Sequence, residues 1–335
     1  MEVNEMQRFK KILCVMEHGE ASKPALERAV ALAENNQAEL MVVDVIPRLP
    51  AGVSMPDGGP TSQDLQMAMV QEHEEQLGSL TGPYRHRLDI RLKVLLGIPF
   101  LEVIREILRN GHDLVVKCPE SPSWLDRFFS GDDMHLLRKC PCPVWLVKPE
   151  ASGSHKRILA AVDVDDFYPP PELATRHALN VQIMEMAISL AIAESADLHI
   201  VHAWESVNEM AGGLAFSSDN MPREKLADNI EQERRQQQWL LDEFIRNTKI
   251  NSNAARDALD YLQPVTHLLK GAARKEIATL TKRLGVDCIV MGTVARTGIR
   301  GFIMGNTAET ILEQIECSVL AIKPEGFVTP VTLVE

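Results

Sequence analysis

Five sequence blocks occur twice in this chain, in the same order, and that repetition restricts the fold more than any single motif does. "KKILCVMEHG" at 10–19 matches "KRILAAVDVD" at 156–165, and "QAELMVVDVI" at 37–46 matches "SADLHIVHAW" at 195–204. "LKVLLGIPFLEVIREI" at 92–107 is answered by "THLLKGAARKEIATL" at 266–280, and "GHDLVVK" at 111–117 by "GVDCIVM" at 285–291. "PVWLVKPE" at 143–150 closes the first copy and "SVLAIKPE" at 318–325 the second. A chain of 335 residues has room for two domains of about 100 to 200 residues. The small, polar "ASGSHK" at 151–156 is the natural linker, giving units over 1–150 and 156–325.

Within each copy, short β-branched runs alternate with helical patterns. "SKPALERAVALAENN" has apolar residues recurring at three and four, with Ser22 before Pro24 as a start signal. "PFLEVIREILRNG" reads the same way and ends at Gly111, a C-cap signal. "ILAAV" is nearly all apolar, as a strand covered on both faces requires. The order predicts an α/β fold, a doubly wound parallel sheet of about five strands per domain. Ligands of such sheets sit beyond the carboxyl ends of the strands. The second copy differs by an insertion, "DVDDFYPPPELATRHALN" at 163–180, and by a longer crossover at 205–264. In that crossover a polar helix is expected, packing through Trp239, Leu240, Phe244 and Ile245, with Glu233, Arg234 and Arg235 on a solvated face.

Composition narrows the functional classes. Hydrophobic residues make up 45% and charged residues 24%, enough apolar material for two cores. The formal net charge of -12 disfavours nonspecific binding of nucleic-acid backbones. "MEVNEMQRFKK" lacks an apolar signal core and no run is long enough for a membrane span, so a cytoplasmic location is expected. Six cysteines in a chain this large need no disulfide framework. Cys140 and Cys142 in "KCPCPVWLV" are too close for a C-x-x-C zinc hook, and Pro141 and Pro143 read as stiffening a strand lead-in. His199 and His202, three apart on a strand, point to opposite faces and make a poor metal pair; a hydrogen-bonded neutral ring is the favoured reading of His202.

The most patterned stretch is "VMGTVARTGIRGFIMGNTAETI" at 290–311. Gly292 directly follows the fourth strand, and Gly305, Asn306 and Thr307 precede a helical pattern for which Asn306 or Thr307 is the expected N-cap. Free N–H groups there can hold an anion, Thr293 or Thr307 can add a hydroxyl, and Arg296 and Arg300 can offset phosphate charge. The spacing is neither a Walker A motif nor a compact G-x-G-x-x-G turn, so phosphate binding and a structural turn both stand.

The tandem layout, "ILAAVD", "GVDCIVMGTVARTGIRGFIMGNTAE" and the terminal "VLAIKP" resemble the universal stress protein family, more narrowly its long two-domain E-type members. The likeness covers nearly the whole chain. It implies two tandem Rossmann-like (adenine nucleotide alpha hydrolase-like) domains and a binding protein that acts in the cytoplasm in survival of DNA damage and other stress. ATP-binding members carry G-x2-G-x9-G-[ST] after the fourth strand. Carried over, Gly292 and Gly305 match, while Ala295 and Asn306 replace the second glycine and the Ser/Thr. Ala295 accepts positive φ poorly and crowds a close phosphate. The likeness also implies Asp163 near the adenosine and magnesium end, Ala203 beside the adenine, and Met291 along the ribose. Asp163 reads equally as a cap for the insertion loop, and Met291 equally as packing.

The first copy departs further. Glu17 stands for the Asp, Cys118 and Ser121 for glycines, and Gly131 is followed by Asp132. A carboxylate facing a phosphate repels it unless a cation intervenes. Three readings follow. One is a binding protein holding ATP with Mg2+, or another adenine nucleotide, in domain 2. The second is a structural or interaction protein without nucleotide, or one binding an apolar or lipid-like small molecule beneath the 205–264 crossover. An enzyme ranks last, as a slow ATPase or nucleotidyl transferase, because the lysine and acidic clusters that such chemistry normally needs are not apparent. Pairing of the two domains through their last strands, as in the family's dimer, would make the chain a pseudo-dimer, and leaves open whether two chains form a homodimer.

Overall fold

The computed structural model describes residues 9–17, 19–50, 61–119, 131–149, 155–209, 223–294 and 304–333. The first half supplies β1 (Lys11–Val15), α1 (Lys23–Asn36), β2 (Glu39–Ile46), α2 (Ser62–Thr81), β3 (Ile90–Leu96), α3 (Pro99–Asn110), β4 (Leu114–Lys117), α4 (Asp132–Lys139) and β5 (Val144–Leu146). The second supplies β6 (Arg157–Ala161), α5 (Pro170–Glu194), β7 (Asp197–Trp204), α6 (Arg223–Asn251), α7 (Asn253–Leu262), β8 (Val265–Lys270), α8 (Ala273–Leu284), β9 (Cys288–Gly292), α9 (Asn306–Gln314) and β10 (Ser318–Ile322).

These strands form one sheet in the order β3-β2-β1-β4-β5-β10-β9-β6-β7-β8. Every neighbouring pair is parallel except β5 and β10, which run antiparallel with Trp145 opposite Leu320. Antiparallel pairing of equivalent strands relates the halves by a local twofold, as the interface of an isologous dimer does. Period-two alternation divides the strand residues between two apolar layers. Ile12, Cys14, Ile158 and Ala160 face the layer under α1 and α5; Leu13, Val15, Leu159 and Ile289 face the one under α3, α4, α8 and α9. Both layers run through both halves, so the halves share a core.

Local signals explain several element ends. Gly111 closes α3 at φ +67, and Ser22 precedes α1 with a proline in the first turn. The insertion is mostly helix: α5 has 25 residues where α1 has 14, and it starts on Pro170 and Pro171, which the first turn tolerates. The packing side of α6 differs from the periodic reading. Leu241 and Phe244 are buried, while Trp239 is 56% exposed. Gln237 takes the inward position instead, because it reaches a buried polar partner, His202. Arg234 and Arg235 pair with Glu231 on the solvated face as expected, but Glu233 turns inward to Ser206 and Asn208.

Candidate functional site

The carboxyl ends of β6, β7 and β9 open into a cavity of about 590 Å³ in the second half, within the range of ordinary small-molecule sites. Parallel strands force this placement, since each must be followed by a turn into a helix on the same side. Asp163, Ala203, Met291, Gly292, Gly305 and Thr307 all line it. Asn306 does not: it is the exposed first residue of α9. Ala295, Arg296, Arg300 and, in the first half, Ser121 lie outside the described residues.

The helix cap falls one residue before the expected pair. Gly305 is the N-cap, in extended conformation and without a side-chain cap, and its N–H donates to the Thr293 carbonyl at 3.0 Å. Periodicity locates a helix start only to within a residue or two. Two helices begin at the cavity wall. Gly305 and Thr307 at the start of α9 face it, as do Ala272, Ala273 and Arg274 at the start of α8, whose N-cap Ala272 also lacks a side-chain bond. Their leading N–H groups and Arg274 offer donors at a space that Asp163, Asp165 and Glu205 also line.

Gly292 has a packing reason to be glycine. Its φ is not in the left-handed region, and an added Cβ would come within 2.6 Å of the Leu179 Cδ2 atom. Leu179 belongs to α5, so the insertion fills the space beside this glycine. Met291 is buried and lines the same wall, joining packing and lining roles.

Asp163 is engaged by the insertion through both backbone and side chain. Its N–H donates to Asn180 Oδ1 at 3.0 Å, and Asn180 Nδ2 donates to its carbonyl at 2.7 Å. Its carboxylate accepts from Tyr168 Oη at 3.3 Å and pairs with Arg176. Arg176 in turn pairs with Glu172 at 2.8 Å and stacks 3.5 Å over the Tyr168 ring. Burial, then the Asp163 charge, push the Tyr168 hydroxyl up to about 12, so it stays a donor. A carboxylate engaged in this way accounts for the loop-capping reading, and 42% of its side chain stays exposed toward the cavity it lines. The Arg176–Tyr168 clasp is absent from the sequence reading; its only linear signal is an aromatic and an arginine five and thirteen residues beyond the aspartate.

His202 is buried, with Nε2 3.0 Å from Gln237 Oε1 and Nδ1 3.4 Å from the Val162 carbonyl, a hydrogen-bonded ring as expected. Gln237 passes the chain on to Asp165 at 3.0 Å, whose carboxyl burial pushes up. His199 contacts His267 across the strands at 3.0 Å, and no group of three or more metal-ligating side chains occurs among the described residues.

At the equivalent place in the first half the described residues put a buried ion cluster. Lys117, the counterpart of Met291, is 2% exposed and sits 2.8 Å from Glu17 Oε2 and 2.7 Å from Asp133 Oδ1. Burial opposes its charge, but the two carboxylates outweigh that and raise its pKa. The intervening cation is therefore a lysine of the chain. The inward carboxylate is Asp133, at 3% exposure, while Asp132 is only half-buried. Cys118 is buried at the Gly292 position.

No helix among the described residues is long and apolar enough to cross a membrane. The sequence model of the universal stress protein family matches residues 8–148 and 154–323. The chain is 29% identical over 339 residues to "Universal stress protein E" of Escherichia coli K12, covering 98% of each. Its fold is similar to a functionally unknown protein from Pseudomonas aeruginosa PAO1, at 24% identity and TM-score 0.67, covering 96% of this chain and 95% of that one. It is also similar to a universal stress protein from Archaeoglobus fulgidus, at 16% identity and TM-score 0.59, covering 95% and 98%. With the doubled α/β unit, the matched motifs of both halves and full-length relatives, this chain belongs to the universal stress protein family.

Proposed function

We propose that the chain is a stress-response binding protein with one working small-molecule site, the cavity of the second half, and that its ligand is an adenine nucleotide bound without magnesium at Asp163. The observation that carries this reading is the contrast between halves. One set of strand ends opens on a cavity with two helix starts that lack side-chain caps, and at the other, among the described residues, Lys117 is buried between Glu17 and Asp133. Phosphate oxygens would accept from the leading N–H groups of α9 around Thr307, beside the open space at Gly305, whose own N–H is spent on the Thr293 carbonyl. The base would lie along Ala203, Met291 and Ile183.

Titration of the full chain with ATP, ADP and adenosine, with and without magnesium, tests it. Thr307→Asp puts into the second half the residue type that Asp133 provides in the first. Expected are one site per chain, no magnesium requirement, and at least tenfold weaker nucleotide binding in the variant, the size of about one lost charge-assisted contact. Adenine nucleotides that bind neither protein overturn the reading. A second reading, an apolar or lipid-like ligand, is favoured by the exposed Phe167 at the mouth and by Leu179, Ile183 and Ile277 in the wall. It predicts uptake of a fatty acid with no effect of Thr307→Asp. In the cell, the nucleotide reading extends to survival of DNA damage and other stress. A deletion strain rescued by wild type but not by Thr307→Asp after ultraviolet exposure would support that extension.

A further inference from the structure

We propose that Cys140 and Cys142 form a peroxide-sensitive dithiol at the seam between the halves, converted reversibly to a disulfide. This does not rest on the ligand reading. Cys140 is the C-cap of α4, and the chain passes through Pro141 and Cys142 into β5, the strand that joins the other half. The two Sγ atoms stand 3.6 Å apart, already in contact and facing each other. From the end of β10 comes Lys323, 5% exposed, whose Nζ donates to the Leu137 carbonyl in the last turn of α4 and to Thr293 Oγ1 at 2.5 Å. A buried ammonium therefore sits at the end of the helix that carries Cys140.

The electrostatics separate this pair from the other thiols. Burial works against a Cys140 thiolate, but the Cys142 hydrogen bond and the Lys323 charge outweigh it and hold Cys140 below the usual thiol range. Burial pushes Cys14 and Cys288 well up, and Cys317 up to about 12, which leaves them inert thiols. Cys140 is fully buried and Cys142 keeps 8% exposure, so a peroxide would have to enter past Cys142.

The chemistry balances with hydrogen peroxide as oxidant. The Cys140 thiolate attacks one peroxide oxygen; the S–O bond forms, the O–O bond breaks, and the departing hydroxide leaves as water with a proton from Lys323. The Cys142 sulfur then attacks the Cys140 sulfenic acid; the S–S bond forms, the S–O bond breaks, and hydroxide leaves as water with the Cys142 proton. Two thiols lose two electrons, and one peroxide becomes two waters.

The test exposes the full-length protein to graded peroxide, quenches it, alkylates it under denaturing conditions and maps the peptides by mass. Expected is loss of two hydrogens across the peptide holding Cys140 and Cys142, reversed by dithiothreitol, while Cys14, Cys118, Cys288 and Cys317 remain alkylated. Lys323→Met should slow this about tenfold, since a thiol pKa raised by about one unit leaves about tenfold less thiolate. In Cys142→Ser, dimedone should trap a sulfenic acid on Cys140. Oxidation of all six thiols at one rate, an unchanged rate in Lys323→Met, or no dimedone adduct overturns the proposal.

Discussion

Replacing Lys117 by Met gives the first half the residue that its counterpart carries at 291, and the consequence can be worked from two distances. The ammonium lies 2.8 Å from Glu17 and 2.7 Å from Asp133, with the three side chains 2%, 10% and 4% exposed. At an effective dielectric of about 20, a contact of that length carries roughly 6 kcal/mol of attraction before desolvation. Desolvation of three charged groups cancels most of it, so the intact triad adds little net stability over an apolar equivalent. Removing only the cation is different, because it leaves two buried carboxylates facing each other. That should cost about 3–5 kcal/mol. In urea, with an m-value of about 3 kcal/mol/M, the midpoint should fall by about 1 to 1.7 M. The triple variant Glu17→Gln, Lys117→Met, Asp133→Asn should recover to within about 1–2 kcal/mol of wild type, since no charge is stranded. The pH dependence has a definite sign. A lysine whose pKa is raised by folding contributes fully below its ordinary value of about 10.4 and loses the contribution only as pH climbs through the raised one. The deficit of Lys117→Met should therefore be level from about pH 6 to 9. A midpoint shift under about 0.3 M, or no recovery in the triple variant, refutes the account of a buried ion cluster.

Other perturbations separate packing from binding. Gly292→Ala drives a methyl to 2.6 Å from Leu179, so it should destabilise by about 1–3 kcal/mol in thermal unfolding, with relief from Leu179→Ala. Lost ligand binding at unchanged stability would instead restore a phosphate role for that glycine. His155 is buried beside Trp145, its ring nitrogens have no hydrogen-bond partner among the described residues, and burial, then Arg28, push it down to about 4. The unfolded chain thus binds the extra proton between about pH 6.5 and 4, and stability should fall as pH drops through that window by about 3 kcal/mol. His155→Phe should flatten that slope in urea titrations at pH 4.5, 5.5 and 7. Arg28→Met strands Glu194 across the halves, both side chains being near 10% exposed, and should cost about 3–5 kcal/mol by the same unfolding assay.

What was legible in the chain is what depends on neighbours in sequence. The alternation of apolar runs, the repeat and the Gly111 stop are local, and they specify the strands, their duplication and the side on which ligands gather. The site was legible as a set of positions: seven of the described residues singled out there, Thr293 among them, do line one cavity. Their roles were not, because each is decided by a partner that spacing does not reveal. Gly292 is glycine on account of Leu179, more than a hundred positions earlier in the chain. Asp163 is clasped by Arg176 from a helix that reads as a Pro-rich insertion. Trp239 reads as a core residue by period, yet the buried His202 recruits Gln237 to the inward face instead.

The comparison of halves sharpens what duplication does to a binding fold. In a doubly wound sheet the strand ends present helix starts and backbone donors whether or not a ligand comes, so that positive field must be satisfied by something. The first half satisfies it with Asp133 and then needs a cation to neutralise Asp133 and Glu17 together. Lys117, reaching from the end of β4, is that cation. The second half places Met291 and Thr307 at the matching positions, neither of which carries charge, and so leaves the starts of α8 and α9 beside an open cavity that Asp163 still lines. Two side-chain identities, Lys117 for Met291 and Asp133 for Thr307, thus separate a strand end holding its own ion cluster from one that lines a cavity, since Glu17 and Asp163 are both carboxylates. A first half stripped of its three charges would keep its fold, and the nucleotide reading predicts that it would then begin to bind anions weakly. The same reading predicts that Met291→Lys in the second half, with no carboxylate partner at Thr307, would bind anions more tightly rather than close the site.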